Sequence, residues 1–135
     1  MIFGIGTDIL ETKRLTKVIN NYDKKFINRI YGSNEICIIK NKKKNLDNFL
    51  SKRFAAKEAT WKAFNPKRGV GLIFKEIETL NDENGKPFLF FSGKTKRYIK
   101  EIEKELSAKL KFDISLSDER KYVVAFVVIS LAPFD

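Results

Sequence analysis

Two short stretches carry the residues whose types and spacing could support chemistry. The first, GIGTDILE over residues 4–11, places an acidic side chain, Asp8, two residues after the second of two glycines. Gly4 and Gly6 let another backbone or a ligand come close to a strand, and a carboxylate at that point can bind a hard cation. The alternative is that Asp8 caps a helix or stabilises a turn, and on this stretch alone that alternative is favoured.

The second stretch, RFAAKEATWKA over residues 53–63, combines an acid with several bases. Glu58 and Lys62 are four residues apart, so on a helix they share one face and could form an ion pair worth about 0.2–0.5 kcal/mol. That pair leaves the nearby Arg53 and Lys57 unexplained. A second stripe is small enough for close backbone packing and consists of Ala55, Ala59 and Ala63.

Composition limits the class of protein. A chain of 135 residues with 43% hydrophobic content is long enough for one core, so we expect a single domain. The chain has one cysteine and no histidine, so Cys37 has no histidine to activate it and is expected to pack in the interior.

No run of apolar residues approaches the length of a membrane span, which predicts a soluble, cytoplasmic protein. The net charge of +10 indicates an acidic partner: nucleic acid, anionic lipid, a polyphosphate ligand or an acidic protein.

The order of the elements that position these residues is typical of an α+β fold. Apolar residues at helical spacing predict a first helix from about Thr12 to Ile30, with an inward face made by Leu15, Val18, Ile19, Tyr22, Phe26 and Ile30. Before this helix we predict a strand through Ile9, and after it a short helix in NEICIIK, a solvated KNKKKN loop and a helix from about Leu46 to Phe64. A hairpin of residues 72–80 and 87–91 follows, with its turn at Asn84-Gly85. The last predicted elements are a helix capped by Ser92 and running to about Leu110, a strand at FDISLS, and a final strand, KYVVAFVVIS, buried on both faces.

Four blocks, in chain order, resemble the holo-acyl-carrier-protein synthase family, the compact phosphopantetheinyl transferases: GIGTDILE, RFAAKEATWKA, NDENGKPFLFFSG and FDISLS. The resemblance implies the 4′-phosphopantetheinyl transferase fold, an antiparallel sheet packed with helices, as one domain over 1–135. It implies transfer of the 4′-phosphopantetheine group of coenzyme A to a serine of apo acyl carrier protein, releasing adenosine 3′,5′-bisphosphate. This is a step of fatty acid biosynthesis and lipid metabolism.

The resemblance also implies roles for individual residues. Asp8 and Glu58 would hold Mg²⁺ and, with Lys62, form the catalytic set. Lys62 also falls where the family contacts a coenzyme A phosphate, while Arg53 and the turn of Gly85, Lys86 and Pro87 fall near the nucleotide. A homotrimer with sites between subunits is implied as well. The basic face of the first helix, which would meet the acidic carrier protein, comprises Arg14, Lys17, Lys24, Lys25 and Arg29.

One departure from the family concerns the proton of the carrier serine. Where the family commonly has histidines at both ends of the SLS strand, this chain has Asp113 and Asp118. A general base must therefore be a carboxylate such as Asp118 or a magnesium-bound water. Proton transfer near the metal is favoured, with Asp118 orienting a phosphate-side group or capping the strand. A subunit that has lost turnover is a further alternative.

The rival function from another class is a basic RNA-binding module, which the net charge would favour. Such modules place exposed aromatic side chains on a basic sheet face. Phe112 and Phe126 lie in mostly apolar strands and are predicted to be core residues. We therefore expect no nucleic-acid partner.

Overall fold

The computed structural model describes residues 1–134, except for the side chains of Tyr22, Asp23 and Pro66. Helices and antiparallel strands are packed together, which confirms the predicted α+β class. No helix in this part of the chain is both long and apolar enough to cross a membrane. The elements are β1 (Ile2–Glu11), α1 (Thr12–Ile30), α2 (Ser33–Asn41), α3 (Leu46–Ala63), α4 (Asn65–Gly69), a 3₁₀ turn (Phe74–Glu76), β2 (Ile77–Asn81), β3 (Pro87–Phe91), α5 (Gly93–Leu106), β4 (Lys109–Glu119) and β5 (Tyr122–Ala132).

The main sheet has the strand order β1-β5-β4, with each pair antiparallel, and β2 and β3 form a separate hairpin. In the main sheet Asp8 pairs with Ala125, and Ala125 pairs with Leu116. Paired residues share one face of a sheet. Asp8 therefore lies on the same face as Ala125, which is fully buried beneath α3.

Close packing of β1 against α3 explains the glycines of the first stretch. A Cβ on Gly4 would collide with the carbonyl oxygen of Ala63, and one on Gly6 with that of Ala59. The predicted alanine stripe of α3 is buried at this contact. The two glycines therefore serve the approach of a backbone rather than of a ligand, and they let α3 lie directly across the strand that carries Asp8.

The predicted hairpin forms, but its first strand is shorter than expected. The turn contains Gly85 at φ +82°, a conformation that favours glycine, so the Asn84-Gly85 turn is confirmed. Residues 72–76 form a loop and the 3₁₀ turn instead of a strand. The carbonyl of Phe74, in the 3₁₀ turn, and that of Ile77, at the start of β2, accept hydrogen bonds from the ammonium of Lys57, which ties this segment to α3.

The helix α5 begins directly after Ser92, as predicted, but its predicted side-chain cap and its predicted end need correction. The carboxylate of Glu76 accepts hydrogen bonds from the backbone N–H groups of Lys94 (3.2 Å) and Thr95 (2.9 Å), so the cap is Glu76 rather than the side chain of Ser92. The helix ends at Leu106 and not at Leu110, which already belongs to β4. The carboxylate of Glu76, which is distant in the sequence, therefore replaces the local cap predicted at Ser92.

Burial of the last strand also differs from the prediction. Val123, Ala125, Val127 and Ile129 face the core, but Phe126 on the opposite face is 43% exposed. The prediction that β5 is buried on both faces, and that Phe126 is a core residue, is therefore wrong for this single chain. Phe112 does pack internally, with its ring centroid 4.6 Å from that of Phe91. Cys37 is exposed, so its predicted packing role is wrong.

Candidate active site

A cleft of about 410 Å³ lies where β1, α1 and α3 meet. Its polar lining comprises the three predicted catalytic residues and Arg14. Its apolar lining comes from β1, α1 and α3. Its lining includes Asp8, Arg14, Leu15, Val18, Phe26, Phe54, Glu58 and Lys62.

Alternation along β1 places Asp8 on the α3 side of the strand, because Gly4, Gly6 and Asp8 are spaced by two residues. There the ammonium of Lys62 lies 3.2 Å from Asp8 Oδ1 and donates a second hydrogen bond, of 3.0 Å, to the carbonyl oxygen of Thr7. Glu58 lies one turn earlier on α3 and lines the same cleft. The structure thus brings together residues that are about 50 positions apart in the chain.

The electrostatics of this part of the cleft favour an added cation. Burial raises the pKa of Asp8 above its ordinary value, although Lys62 opposes the shift. Burial, and then the nearby charge of Asp8, raise the pKa of Glu58. The cluster of Asp8, Glu58 and Lys62 keeps one negative charge when all three groups are ionised, while Arg14 also lines the cleft.

The donor set fits magnesium. Mg²⁺ commonly takes one or two carboxylates and completes its shell with water and substrate phosphate oxygens. Asp8 and Glu58 supply two carboxylates on the wall of an open cleft. Among residues 1–134 there is no group of three or more Asp, Glu, His or Cys side chains that would form an all-protein metal cage.

A second pocket, of about 370 Å³, lies further toward the N-terminus of α3 and contains Arg53. Arg53 is only 6% exposed, stacks 4.0 Å from the ring centroid of Phe49 and donates a 2.7 Å hydrogen bond to Asn81 Oδ1. Its Nε atom has no partner within the described residues. The pocket also contains Lys42 and Lys52, so it is a strongly cationic concavity.

The β2–β3 hairpin is connected to this pocket through Asn81. The amide of Asn81 donates a 2.9 Å hydrogen bond to the carbonyl of Gly85, and Asn81 pairs with Pro87 across the hairpin. Lys86 is exposed beside them. The predicted nucleotide residues Arg53, Gly85, Lys86 and Pro87 are therefore grouped at one place, apart from the carboxylates. Asn81 was not predicted, and no local pattern marks it.

Asp113 and Asp118 lie on opposite faces of β4, because they are five residues apart on one strand. Asp118 is ion-paired with Lys52 at 3.1 Å and accepts a 3.0 Å hydrogen bond from Asn48. The hydrogen bonds from Lys52 and Asn48 hold the pKa of Asp118 below its ordinary value. Asp113 is exposed on the outer face, opposite Val128.

The predicted carrier-binding residues form one continuous exposed surface on α1. At about 100° per residue, they fall within an arc of roughly 140° on the helix. The apolar side of α1 packs inward, where Leu15 is buried; the side chain of Tyr22, predicted to share that side, lies outside the described residues. The basic surface comprises Arg14, Lys17, Lys24, Lys25 and Arg29, all exposed.

The chain is similar to known proteins over nearly its whole length. Residues 4–127 match the model of the 4′-phosphopantetheinyl transferase superfamily. The chain is 43% identical to a holo-[acyl-carrier-protein] synthase of Orientia tsutsugamushi over 96% of this chain and 98% of that one. The structure resembles the holo-[acyl-carrier-protein] synthase of Neisseria meningitidis, with a TM-score of 0.81, 32% identity and coverage of 96% and 99%.

A second similar structure carries a ligand. The holo-(acyl-carrier-protein) synthase of Bacillus anthracis, in complex with CoA (3′,5′-ADP), has a TM-score of 0.76, 34% identity and coverage of 98% of both chains. Identity of this extent over nearly the whole chain shows the family. The chain belongs to the 4′-phosphopantetheinyl transferase superfamily, among the holo-[acyl-carrier-protein] synthases.

Proposed function

We propose that this chain transfers the 4′-phosphopantetheine group of coenzyme A to a serine of apo acyl carrier protein, giving holo carrier protein and adenosine 3′,5′-bisphosphate. The observation that carries the proposal is that α3 borders both an acidic cleft containing Asp8, Glu58 and Lys62 and a cationic pocket around Arg53. A phosphate-rich substrate can lie along such a helix with its two ends in different environments.

The cationic pocket takes the nucleotide end of coenzyme A. Arg53 is held in place by Phe49 and Asn81 and lines the pocket, so its guanidinium binds an anionic group at little further cost in side-chain entropy. Lys42 and Lys52 add charge, and the hairpin residues Gly85, Lys86 and Pro87 form the adjoining edge. Glu58 lies about 7.5 Å further along the helix axis than Arg53 and about 140° around it. A pyrophosphate-containing ligand that reaches both sites therefore curves around α3.

The acidic cleft takes the reacting phosphate. Asp8 and Glu58 hold Mg²⁺, which when bound neutralises charge that develops on the transferred phosphate and on the leaving bisphosphate. Lys62 lies 3.2 Å from Asp8, so its ammonium can turn from that carboxylate to a phosphate oxygen. Arg14 lines the same cleft and also belongs to the basic surface of α1 on which the carrier is proposed to dock.

The proton of the serine is lost near Asp8 and Glu58 and not to Asp118. A base with a depressed pKa accepts a proton poorly at neutral pH. Asp118 is such a group, since Lys52 and Asn48 both stabilise its ionised form. Its role is to hold Lys52, which lines the nucleotide pocket.

The carrier protein docks on the basic surface of α1. Exposed cations attract an acidic partner and orient it during encounter. The apolar lining of the cleft, which includes Leu15, Val18, Phe26 and Phe54, offers an apolar contact. The serine of a carrier bound there meets the cleft that contains Asp8.

The working form is a homotrimer with its sites between subunits. The outer face of the main sheet exposes large apolar side chains: Ile5 is 58%, Ile9 67% and Phe126 43% exposed. These residues are adjacent in the sheet register, and an apolar patch of this kind is typical of an interface. We place the protein in the cytoplasm, as a single domain over 1–135 acting in fatty acid biosynthesis.

Mass spectrometry of an apo carrier protein tests the function directly. Incubation with this chain, coenzyme A and Mg²⁺ should add one phosphopantetheine to the carrier, and omission of Mg²⁺ or coenzyme A should abolish the change. An unmodified carrier would favour a subunit without turnover. A thermal shift with an RNA oligonucleotide, and none with coenzyme A and Mg²⁺, would instead favour the RNA-binding function that the net charge allows.

A further inference from the structure

A cluster of four charged side chains is buried between α2, α3 and β2, behind the cleft. Lys57 and Glu35 are fully buried, and Glu78 and Arg53 are nearly so. Lys57 lies 2.7 Å from Glu35 Oε1. Two cations and two carboxylates balance within the cluster, which is the condition under which charges can be buried at all.

Every proton of the Lys57 ammonium has an acceptor. The three acceptors are Glu35 Oε1, the carbonyl of Phe74 at 3.1 Å and the carbonyl of Ile77. An ammonium has three donors, so Lys57 is fully satisfied and is fixed in direction as well as in position. These acceptors belong to α2 and to the segment that leads into β2, which is not part of the cleft.

The carboxylate of Glu35 is also fixed by several hydrogen bonds. Its Oε1 accepts a 3.0 Å hydrogen bond from the N–H of Gly32, and its Oε2 accepts one of 3.1 Å from Thr79. The N–H of Glu35 donates a 2.8 Å hydrogen bond to Glu78. The anchor for Lys57 is therefore itself pinned to α2 and β2 at several points.

The opposite side of α3 packs closely on β1. There the Cβ positions of Gly6 and Gly4 face the carbonyl oxygens of Ala59 and Ala63, so the contact is backbone against backbone. Ala59 is about 200° around the helix from Lys57, so the three directional hydrogen bonds of Lys57 restrain the angle of α3 from the other side.

We propose that Lys57, held by Glu35, is a positioning residue that sets the rotation of α3 and thereby aims Glu58 and Lys62 at Asp8. Glu58 follows Lys57 directly in the chain, so a turn of the helix that displaces one displaces the other. Misplacement of a reacting group by about 1 Å can cost on the order of 10²-fold in rate. The inference rests on the proposed transferase function and deepens it.

The test separates an effect on positioning from an effect on stability by using a double variant that leaves the net charge of the buried cluster unchanged. Lys57→Met alone leaves a buried carboxylate unpaired and should lower Tm strongly, since removing one member of a buried pair is destabilising. Lys57→Met/Glu35→Gln leaves Arg53 and Glu78 balanced, as in the parent cluster, and should recover most of that loss. We expect the kcat of the double variant to remain at least tenfold below that of the parent protein. Its KM for coenzyme A should stay within about twofold of the parent value.

A readout that does not depend on turnover accompanies the kinetics. The added thermal stabilisation that Mg²⁺ gives in the presence of coenzyme A should shrink in the double variant, because Glu58 no longer faces Asp8. The matched control is Lys104→Met, an exposed lysine on α5, which should leave Tm, kcat and the magnesium response unchanged. A double variant with recovered Tm and parental kcat would overturn the inference.

Glu35→Asp keeps the test decisive should the double variant fold poorly. It retains the charge, touches no substrate and shortens the anchor by one methylene. We expect kcat to fall at least fivefold and a higher Mg²⁺ concentration to be needed for half-maximal rate; a parental kcat and magnesium requirement would overturn the inference. An inactive parent protein would instead contradict the proposed function itself, so the two failures are distinguishable.

Discussion

Burial makes ionisation of Asp8 and Glu58 less favourable than in water, and a cation bound at the proposed metal site would offset this effect. We predict that Asp8→Asn and Glu58→Gln each reduce magnesium-dependent transfer well beyond tenfold, because charge stabilisation by a bound metal is worth several kcal/mol. Rates are to be measured at saturating Mg²⁺ and coenzyme A. A rate near that of the parent in either variant would contradict the assignment of that carboxylate.

The effect of Glu58→Gln on thermal stability can be predicted separately from its effect on activity. Because burial and the charge of Asp8 raise the pKa of Glu58, the folded chain binds this proton more tightly than the unfolded chain. Metal-free stability therefore falls as pH rises through that pKa. In EDTA at pH 7, Glu58→Gln should melt no lower than the parent protein, so its loss of activity cannot be attributed to unfolding.

For Asp118, the sequence and the structure favour the same alternative, in which this residue is not the general base. We predict that Asp118→Asn changes kcat only a few-fold, since an aspartate already paired with Lys52 contributes little as a base. The KM for coenzyme A should rise more than kcat falls, because Lys52 loses its anchor beside the nucleotide pocket. A drop in kcat of roughly 10²–10⁴-fold, the range of general-base catalysis, would make Asp118 the base.

At the scale of elements, α1 separates two functions on its two sides. Its apolar side packs against α3, and its basic surface is free for a partner. We predict that Arg14→Glu weakens binding of the carrier protein and reduces the salt dependence of that binding, because exposed charges act mainly on association. Coenzyme A affinity, measured by calorimetry in the same variant, should be nearly unchanged.

Lys104→Glu is a suitable comparison for Arg14→Glu, since it makes the same change of net charge on α5. An equal loss of carrier binding in both variants would mean that only overall charge matters. An equal loss of coenzyme A and carrier binding in Arg14→Glu would place Arg14 in the nucleotide site.

The capping of α5 by Glu76 predicts a pH-dependent stability. Partial burial opposes ionisation of Glu76, but hydrogen bonds from Thr95 and Lys94 outweigh it and lower its pKa. We expect Glu76→Ala to cost about 1 kcal/mol at pH 7, the usual value of a lost cap, or roughly 3–5 °C in Tm. A lowered pKa in the folded state means that this stabilisation is present at neutral pH and disappears as pH falls through the folded pKa.

Thermal melts of the parent and Glu76→Ala at pH 7 and near pH 3 check this prediction. The difference in Tm should narrow at low pH. A gap that is constant with pH would mean that the Glu76 side chain stabilises α5 by packing instead of by accepting hydrogen bonds as a carboxylate.

For the whole molecule, the exposed apolar side chains on the outer face of the main sheet form the proposed interface between subunits. We predict that Phe126→Asp converts the proposed trimer to a monomer, because a charge at the centre of an apolar interface would be buried without a partner. Light scattering after size-exclusion chromatography gives the mass. Val70→Asp, at an apolar position that is 81% exposed and outside this face, should leave the mass unchanged. A trimeric Phe126→Asp would exclude this face as the interface.

Local patterns in the sequence determined much of this protein. Helical periodicity located α1 and α3, Asn84-Gly85 located the hairpin turn, and the spacing of Glu58 and Lys62 placed them on one side of a helix. Each of these features depends on residues within a few positions of one another. Backbone geometry, which is the same in every chain, therefore suffices to predict them.

Only the tertiary structure decided which distant groups meet. The side chain of Glu76 rather than that of Ser92 caps α5. Lys52 forms an ion pair with Asp118, and Lys57 forms one with Glu35 on another helix. One face of β5 is left open, although its sequence is apolar on both sides. Such outcomes depend on how whole elements pack, because a buried charge or an unpaired N–H takes the best partner in space, and separation along the chain does not reveal which partner that is.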